Sequence, residues 1–312
     1  MLNDRQKKIQ KVISKNEKEV IAKLKESYEK ALQDIDLKIS ELLSRTDLQN
    51  LQSIIYQVDY QRALKGQINA FLDILQSNNF ETISAYLTEC YKEGWISTLY
   101  DLQGQGIPLL FPIDQEQVIA AIQLNTKLSK KLYTSLQVDI ENLKKVIRSE
   151  ISRGISQGQS YREISRNIRN YGNISRYNSM RIARTEGHRI TNEATFNCQV
   201  KAKSKGAQIM KQWDATLDSR TRPSHQELDG QLVEVDKPFS INGYTAMYPS
   251  DFGVPSEDIN CRCALLQRAK WALTDEEFTK YNGESRELQH FENIADYDEF
   301  KKEFWKWEGS SE

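Results

Sequence analysis

A chain of 312 residues is long enough for about two domains, because single hydrophobic cores stop growing and chains then divide. With 38% apolar and 28% charged residues, the composition lies toward the polar, helix-rich end of the globular range and short of the disordered one. No apolar run approaches the roughly 18 residues that span a bilayer, and Met1-Leu2-Asn3-Asp4-Arg5 lacks a signal-peptide core, so no membrane is expected as a partner and the chain reads as one kept in a cytoplasm.

All six prolines lie after residue 107, and only Gly66 and Gly94 fall before residue 100, so the first third holds almost no helix breakers. From Ile9 through Val20, Leu24, Tyr28 and Ile35 to Leu42, apolar residues recur mostly at steps of three and four. That spacing predicts one amphipathic helix over about residues 4–45, roughly 60 Å long at 1.5 Å per residue. The pattern returns from Leu51 to Leu75 and again from Ile83 to Leu99, which predicts three helices in a bundle or in a partner-binding hairpin. Gln103 to Pro112, with two glycines and two prolines, reads as a loop. Helical periodicity resumes over 115–124 and about 129–155, and two further helices are expected over 161–170 and 173–205, the second capped by Gly206.

Past Gly206 the character changes. Short β-rich runs, 208–213, 231–235 and 263–267, are separated by loops that hold four of the six prolines, the mark of a small α+β unit. Beyond Lys270 the chain is acidic and aromatic, with one or two short helices expected and Trp305 and Trp307 packing back on the domain. The expected fold is a mainly α N-terminal region with a small α+β C-terminal domain. Its expected divisions are a helical arm or bundle over 1–135 able to bind a partner, a domain over 136–268, and an acidic aromatic tail over 269–312.

The net charge of −1 hides an uneven distribution. Glu141 to Lys205 holds fourteen Lys and Arg against five Glu, whereas residues 273–312 hold twelve Asp and Glu against five Lys and Arg. The basic stretch suits a polyanion, with Lys201, Lys203 and Lys205 as candidate DNA contacts, or else is a solvated helix face. Four cysteines are too few for a disulfide scaffold, which leaves metal binding or plain burial.

The ordered set Ala183-Arg-Thr-Glu186, Asp218-Ser-Arg-Thr-Arg-Pro-Ser-His225, Leu228-Asp-Gly230 and Asn260-Cys-Arg-Cys263 resembles the C-terminal domain of the phage head morphogenesis family typified by the Mu F protein, over about residues 140–268. The resemblance implies a minor capsid protein of a tailed bacteriophage and no enzyme. It implies few copies in the capsid interior near the portal, after assembly in the host cytoplasm, and a role in head assembly, DNA delivery or both. The implied partners are the portal protein, scaffold or major capsid protein, and packaged double-stranded DNA.

The residues of this set carry chemistry of their own. Alternate residues of an extended segment face one way, so Cys261 and Cys263 can reach one ion. With His225, and Asp218 as the fourth candidate, they would make a tetrahedral zinc site of structural type; two buried thiols is the plainer alternative. Asp218, Arg220, Arg222 and His225 can also be read as a phosphate-handling site of a metal-dependent nuclease or phosphoryl-transfer enzyme, or as a loop pinned by Asp–Arg pairs. Arg184 and Glu186 are candidates for a buried ion pair that buttresses the β-rich unit, and His188 for a packing residue. No phosphate loop, dinucleotide fingerprint, nucleophile elbow or H-E-x-x-H is present, so ATPase, dehydrogenase, α/β-hydrolase and zincin chemistry have no motif here.

Overall fold

The computed structural model describes residues 2–43, 54–122, 140–147, 149–150, 153, 161–270 and 294–309. Most of the helix expected over 129–155 and much of the acidic tail lie outside the described residues. The described elements are the helices α1 (Asp4–Leu43), α2 (Ile54–Gly104), α3 (Gln115–Ile122) and α4 (Tyr161–Ser204), followed by short helices α5 (Pro223–Leu228) and α6 (Pro255–Asp258) and the terminal α7 (Tyr297–Gly309). Five strands join them: β1 (Ile209–Asp214), β2 (Leu232–Glu234), β3 (Phe239–Ile241), β4 (Tyr244–Ala246) and β5 (Ala264–Ala269). The strands form an antiparallel sheet in the order β2-β1-β5 and a separate β3–β4 hairpin. The fold is therefore mainly helical with a small C-terminal α+β region. No described helix is long and apolar enough to cross a membrane.

Two pairs of expected helices are single helices. The apolar residues from Ile54 to Leu75 and from Ile83 to Leu99 lie on one 51-residue helix, α2, because the residues between Leu75 and Ile83 include no Gly or Pro. The expected break between residues 170 and 173 is absent as well, since α4 runs through Gly172. There the missing side chain makes room rather than a break: a Cβ on Gly172 would fall 2.6 Å from a methyl carbon of Leu32. The β3–β4 hairpin was not expected. Its runs are three residues each, and its turn uses the left-handed backbone of Asn242 and Gly243, with φ of 50° and 78°.

The contacts divide into two compact units that both draw on α1, α2 and α4. One comprises Lys18–Ala85 and Ser129–Ala183. Its core interleaves Tyr28, Leu32 and Ile35 of α1, Ile68, Leu72 and Leu75 of α2, Ile140, Leu143 and Ile147, and Ile164 and Ile168 of α4. Each such buried side chain contributes about 1.5–3 kcal/mol. Polar groups are paired across the same faces: the Tyr28 hydroxyl lies 2.7 Å from that of Ser179, and Asp36 accepts from Ser165 and Arg169.

The other unit comprises Met1–Glu17, Tyr86–Leu128 and Arg184–Glu312. Here α2 and α4 touch at Gly94, where any Cβ would collide with the Thr191 carbonyl oxygen. The acidic end docks through aromatic residues other than its tryptophans. Tyr297, Phe300 and Phe304 of α7 are buried, Tyr297 donates to Glu93, and Trp305 and Trp307 contact Phe304 at the margin.

The buried carboxylate of the Ala183–Glu186 motif belongs to this unit's core. Glu186 accepts from Arg189 at 2.8 Å, and Arg189 also reaches Glu193 at 2.5 Å and the Ala121 carbonyl at 3.0 Å. Burial opposes the arginine's charge, but Glu186 and Glu193 outweigh it and raise its pKa. Arg184 points elsewhere, to Glu17. Removing the cation while keeping the volume strands Glu186, so Arg189→Met should lower stability by about 3–5 kcal/mol. Glu186→Gln, which keeps an acceptor, should cost less. Denaturant titration of the full chain distinguishes the two, and equal losses would contradict the assignment.

Candidate metal centre

The β1–β5 ladder pairs Trp213 with Leu265 and so carries the residues preceding β5 up to α5. Pro223 opens α5, and its fixed φ and missing N–H suit the first helical turn. This turn buries His225, whose ring meets Trp213 edge-on at 5.6 Å. Two glycine or asparagine positions shape the approach. Gly230 takes φ 79° and donates to the Trp213 carbonyl, closing the Leu228-Asp-Gly230 turn, while Asp229 accepts from Ala215. Asn260 takes φ 56°, and its N–H donates to the Thr185 hydroxyl of α4.

His225, Cys261 and Cys263 come together. Their ligand atoms all lie within 4.8 Å of one another and all three residues are buried. Nδ1 of His225 is 3.2 Å from Sγ of Cys263 and 3.6 Å from Sγ of Cys261. Nε2 lies 3.1 Å from Oε2 of Glu257, which also accepts from Ser224 at 2.8 Å. A carboxylate only accepts, so Nε2 carries the hydrogen and Nδ1 presents its lone pair to the two sulfurs. Of the thiols, Cys261 is the readier to ionise: the hydrogen bond from Cys263 lowers its pKa against the cost of burial. Cys263 is held protonated by that same contact and by burial. His225, Cys261 and Cys263 are donor types that could hold a metal ion, with Glu257 placed behind the histidine.

Asp218 does not join the group. Its two oxygens receive both Nη atoms of Arg262, at 2.6 and 2.7 Å, and its Oδ1 also accepts from the Arg220 backbone. The Arg262 guanidinium, first among these, holds the carboxyl well below the usual range. Arg222 donates to the Ile259 carbonyl, and Arg184 and His188 both bind Glu17. Lys201, Lys203 and Lys205 are exposed at the end of α4, and Lys203 pairs with Asp236 at 2.8 Å. The structure adds residues that the motif reading passed over. Glu257 stands behind His225, Thr185 and Asn192 hold the cysteine segment, and Asp258 accepts from the Phe252 and Val254 backbones that lead into it.

Residues 145–266 match the family model of Phage Mu protein F like protein. The chain is similar to the NAD(+)--arginine ADP-ribosyltransferase EFV of Enterococcus faecalis, at 32% identity over 96% of this chain, and spans 60% of that protein's length. It is also similar to the minor head protein GP7 of Bacillus phage SPP1, at 27% identity over 85% of this chain and 82% of GP7. An uncharacterized protein of Haemophilus influenzae matches 38% of the chain at 28% identity, along 24% of its own length. No solved structure matches the chain. Residues 145–266 thus resemble the phage head morphogenesis family.

Proposed function

We propose that the chain is a portal-associated minor capsid protein, positioned inside the head and acting in assembly and DNA delivery. The observation that carries the reading is its alignment along 82% of GP7, a protein named for a minor place in the head. The portal, and scaffold or major capsid protein, are the partners this reading assigns, with 1–135 as the region that binds them. Lys201, Lys203 and Lys205 supply exposed positive charge for contact with packaged DNA. In a phage carrying the gene, deletion should give misassembled heads or heads that fail to deliver DNA. Changing the three lysines together to Ser should spare assembly and impair delivery. Normal particles and normal titre after deletion would contradict the reading.

We infer further that His225, Cys261 and Cys263 hold a structural zinc ion. Neighbouring donors of a tetrahedral zinc lie about 3.5–4 Å apart, close to the spacing of Nδ1 and the two sulfurs. Glu257 would fix the tautomer and orientation of His225. Ligation would be coupled to folding, since the donors converge only when α5 and the segment before β5 are in place. The purified full chain should contain about one zinc, and Cys261→Ser and Cys263→Ser should each lose most of it. Metal-free folded protein whose melting is indifferent to chelator would overturn the assignment.

ADP-ribosyl transfer is named for the Enterococcus protein, and this chain spans 60% of it. We assign that activity to the part this chain does not span, because the shared stretch also aligns with most of GP7. The purified chain should therefore leave NAD+ intact in the presence of arginine. Release of nicotinamide would sink this assignment and favour the enzymatic reading.

A further inference from the structure

Beside the cysteine segment lies a cavity of about 550 Å³ whose wall brings four arginines together. Arg184 comes from α4, Arg220 and Arg222 from the loop before α5, and Arg262 from between the two cysteines. Glu17, His188, Asn260 and Cys261 line the rest of the wall. Three of the guanidinium groups are already oriented: Arg184 by Glu17 at 3.0 Å, Arg222 by the Ile259 carbonyl, and Arg262 by both oxygens of Asp218. Arg220, its side chain 78% exposed, leans toward Asp218 at 3.5 Å.

Guanidinium groups remain charged at any pH the protein meets, so this wall carries four fixed positive charges. The carboxylates of Glu17 and Asp218 offset two of them. Arg222 is anchored by a carbonyl, which carries no charge. Like charges gathered at one concave surface repel unless an anion enters, and hydrogen bonds to a tetrahedral oxyanion can satisfy several guanidinium forks together. A single carboxylate would leave excess positive charge. The volume falls within the roughly 300–1,000 Å³ of small-molecule sites and exceeds the needs of one phosphate, which favours a ligand with linked phosphates or a phosphate joined to a larger group.

We propose that this cavity is a binding site for a phosphate-bearing anion, gripped by Arg184, Arg220, Arg222 and Arg262. The site rests on the placement of these side chains and not on the head-assembly reading, and it takes its ligand with or without metal at His225. Two sources share the chemistry: a small polyphosphate and the phosphorylated end of a DNA strand.

The test is calorimetric titration of the full chain at fixed salt with pyrophosphate, and with a short single-stranded oligonucleotide bearing or lacking a 5′-phosphate. Saturable binding at one site per chain is expected for at least one phosphate ligand. Arg220→Ala and Arg222→Ala should each weaken it roughly 10-fold or more, the loss expected for one charge-assisted contact. Lys306→Ala, on the exposed side of α7, should leave it unchanged. Tighter binding of the 5′-phosphorylated strand than of its dephosphorylated twin assigns the source to DNA ends; binding of pyrophosphate alone assigns it to a small anion. Circular dichroism checks folding, and should Arg222→Ala unfold, the exposed Arg220→Ala still decides the matter. No saturable binding of any phosphate ligand, or binding that survives the arginine changes, would overturn the proposal.

Discussion

The segment Cys261–Cys263 lies outside any regular strand, and the side-chain amide of Asn192 does most to fix it. From within α4 this amide donates to the Cys263 carbonyl at 3.0 Å and accepts from the Leu265 N–H at 2.8 Å. A carboxamide offers both a donor and an acceptor, so neither Asp nor Leu could replace it without stranding a buried backbone group, at about 1–3 kcal/mol. Thr185, two turns earlier, accepts from Asn260, whose φ of 56° turns the chain into the cysteines. Once β5 is placed, its ladder with β1 sets Trp213, and Trp213 sets the ring of His225. The dependence thus runs from α4 through the cysteine segment and β5 to β1, and from Trp213 to the histidine turn, which is not the order of the motifs along the sequence.

The positive charge of the central segment is organised rather than merely solvated. Within the unit built on Lys18–Ala85, Arg169 binds Asp36 and Arg176 binds Glu29; within the other, Arg184 binds Glu17. The carboxylates of α1 therefore neutralise several arginines of α4. For the partly exposed pairs the energetic return is small, about 0–1 kcal/mol each, so they act mainly to set which faces of α1 and α4 meet. Exposed positive charge stands at the end of α4, and four arginines line the cavity beside the cysteine segment. A count of charges along the sequence could not make this distinction, because it assigns no partner to any residue.

Legibility followed the range of the interactions. The long helices were visible because apolar residues at steps of three and four report a local period, as Val20, Leu24 and Tyr28 do. Their continuity through Gly172 was not visible, because the close approach of Leu32 comes from another helix. The three-residue strands β3 and β4 were too short for an alternating pattern to register. Among the site residues, His225, Cys261 and Cys263 stood out as rare types in an ordered motif, whereas Glu257 is one of many acidic residues. Its place is known only from the 3.1 Å contact to His225. Ser224, adjacent to the histidine and bonded to the same carboxylate, was the nearest thing to a sequence signal for it.

Asp218 illustrates how one motif can serve two sites. As a metal ligand it would have to give up two charge-assisted bonds to Arg262, leaving that guanidinium without its carboxylate beside three others. The contacts that hold its carboxyl well below the usual range, Arg262 first and the Arg220 backbone second, are those of a counter-ion to arginines. A zinc ion on His225, Cys261 and Cys263 would thus draw its fourth donor from elsewhere, and water in that position would give the centre an open coordination site. The division falls at Pro223. Before it, the loop turns Arg220 and Arg222 toward the cavity; after it, the first turn of α5 swings His225 inward to the sulfurs. Read as a linear string, Asp218 to His225 looks like one catalytic cluster, and the proline-initiated helix separates it into an arginine half that faces the cavity and a histidine half that faces the two sulfurs.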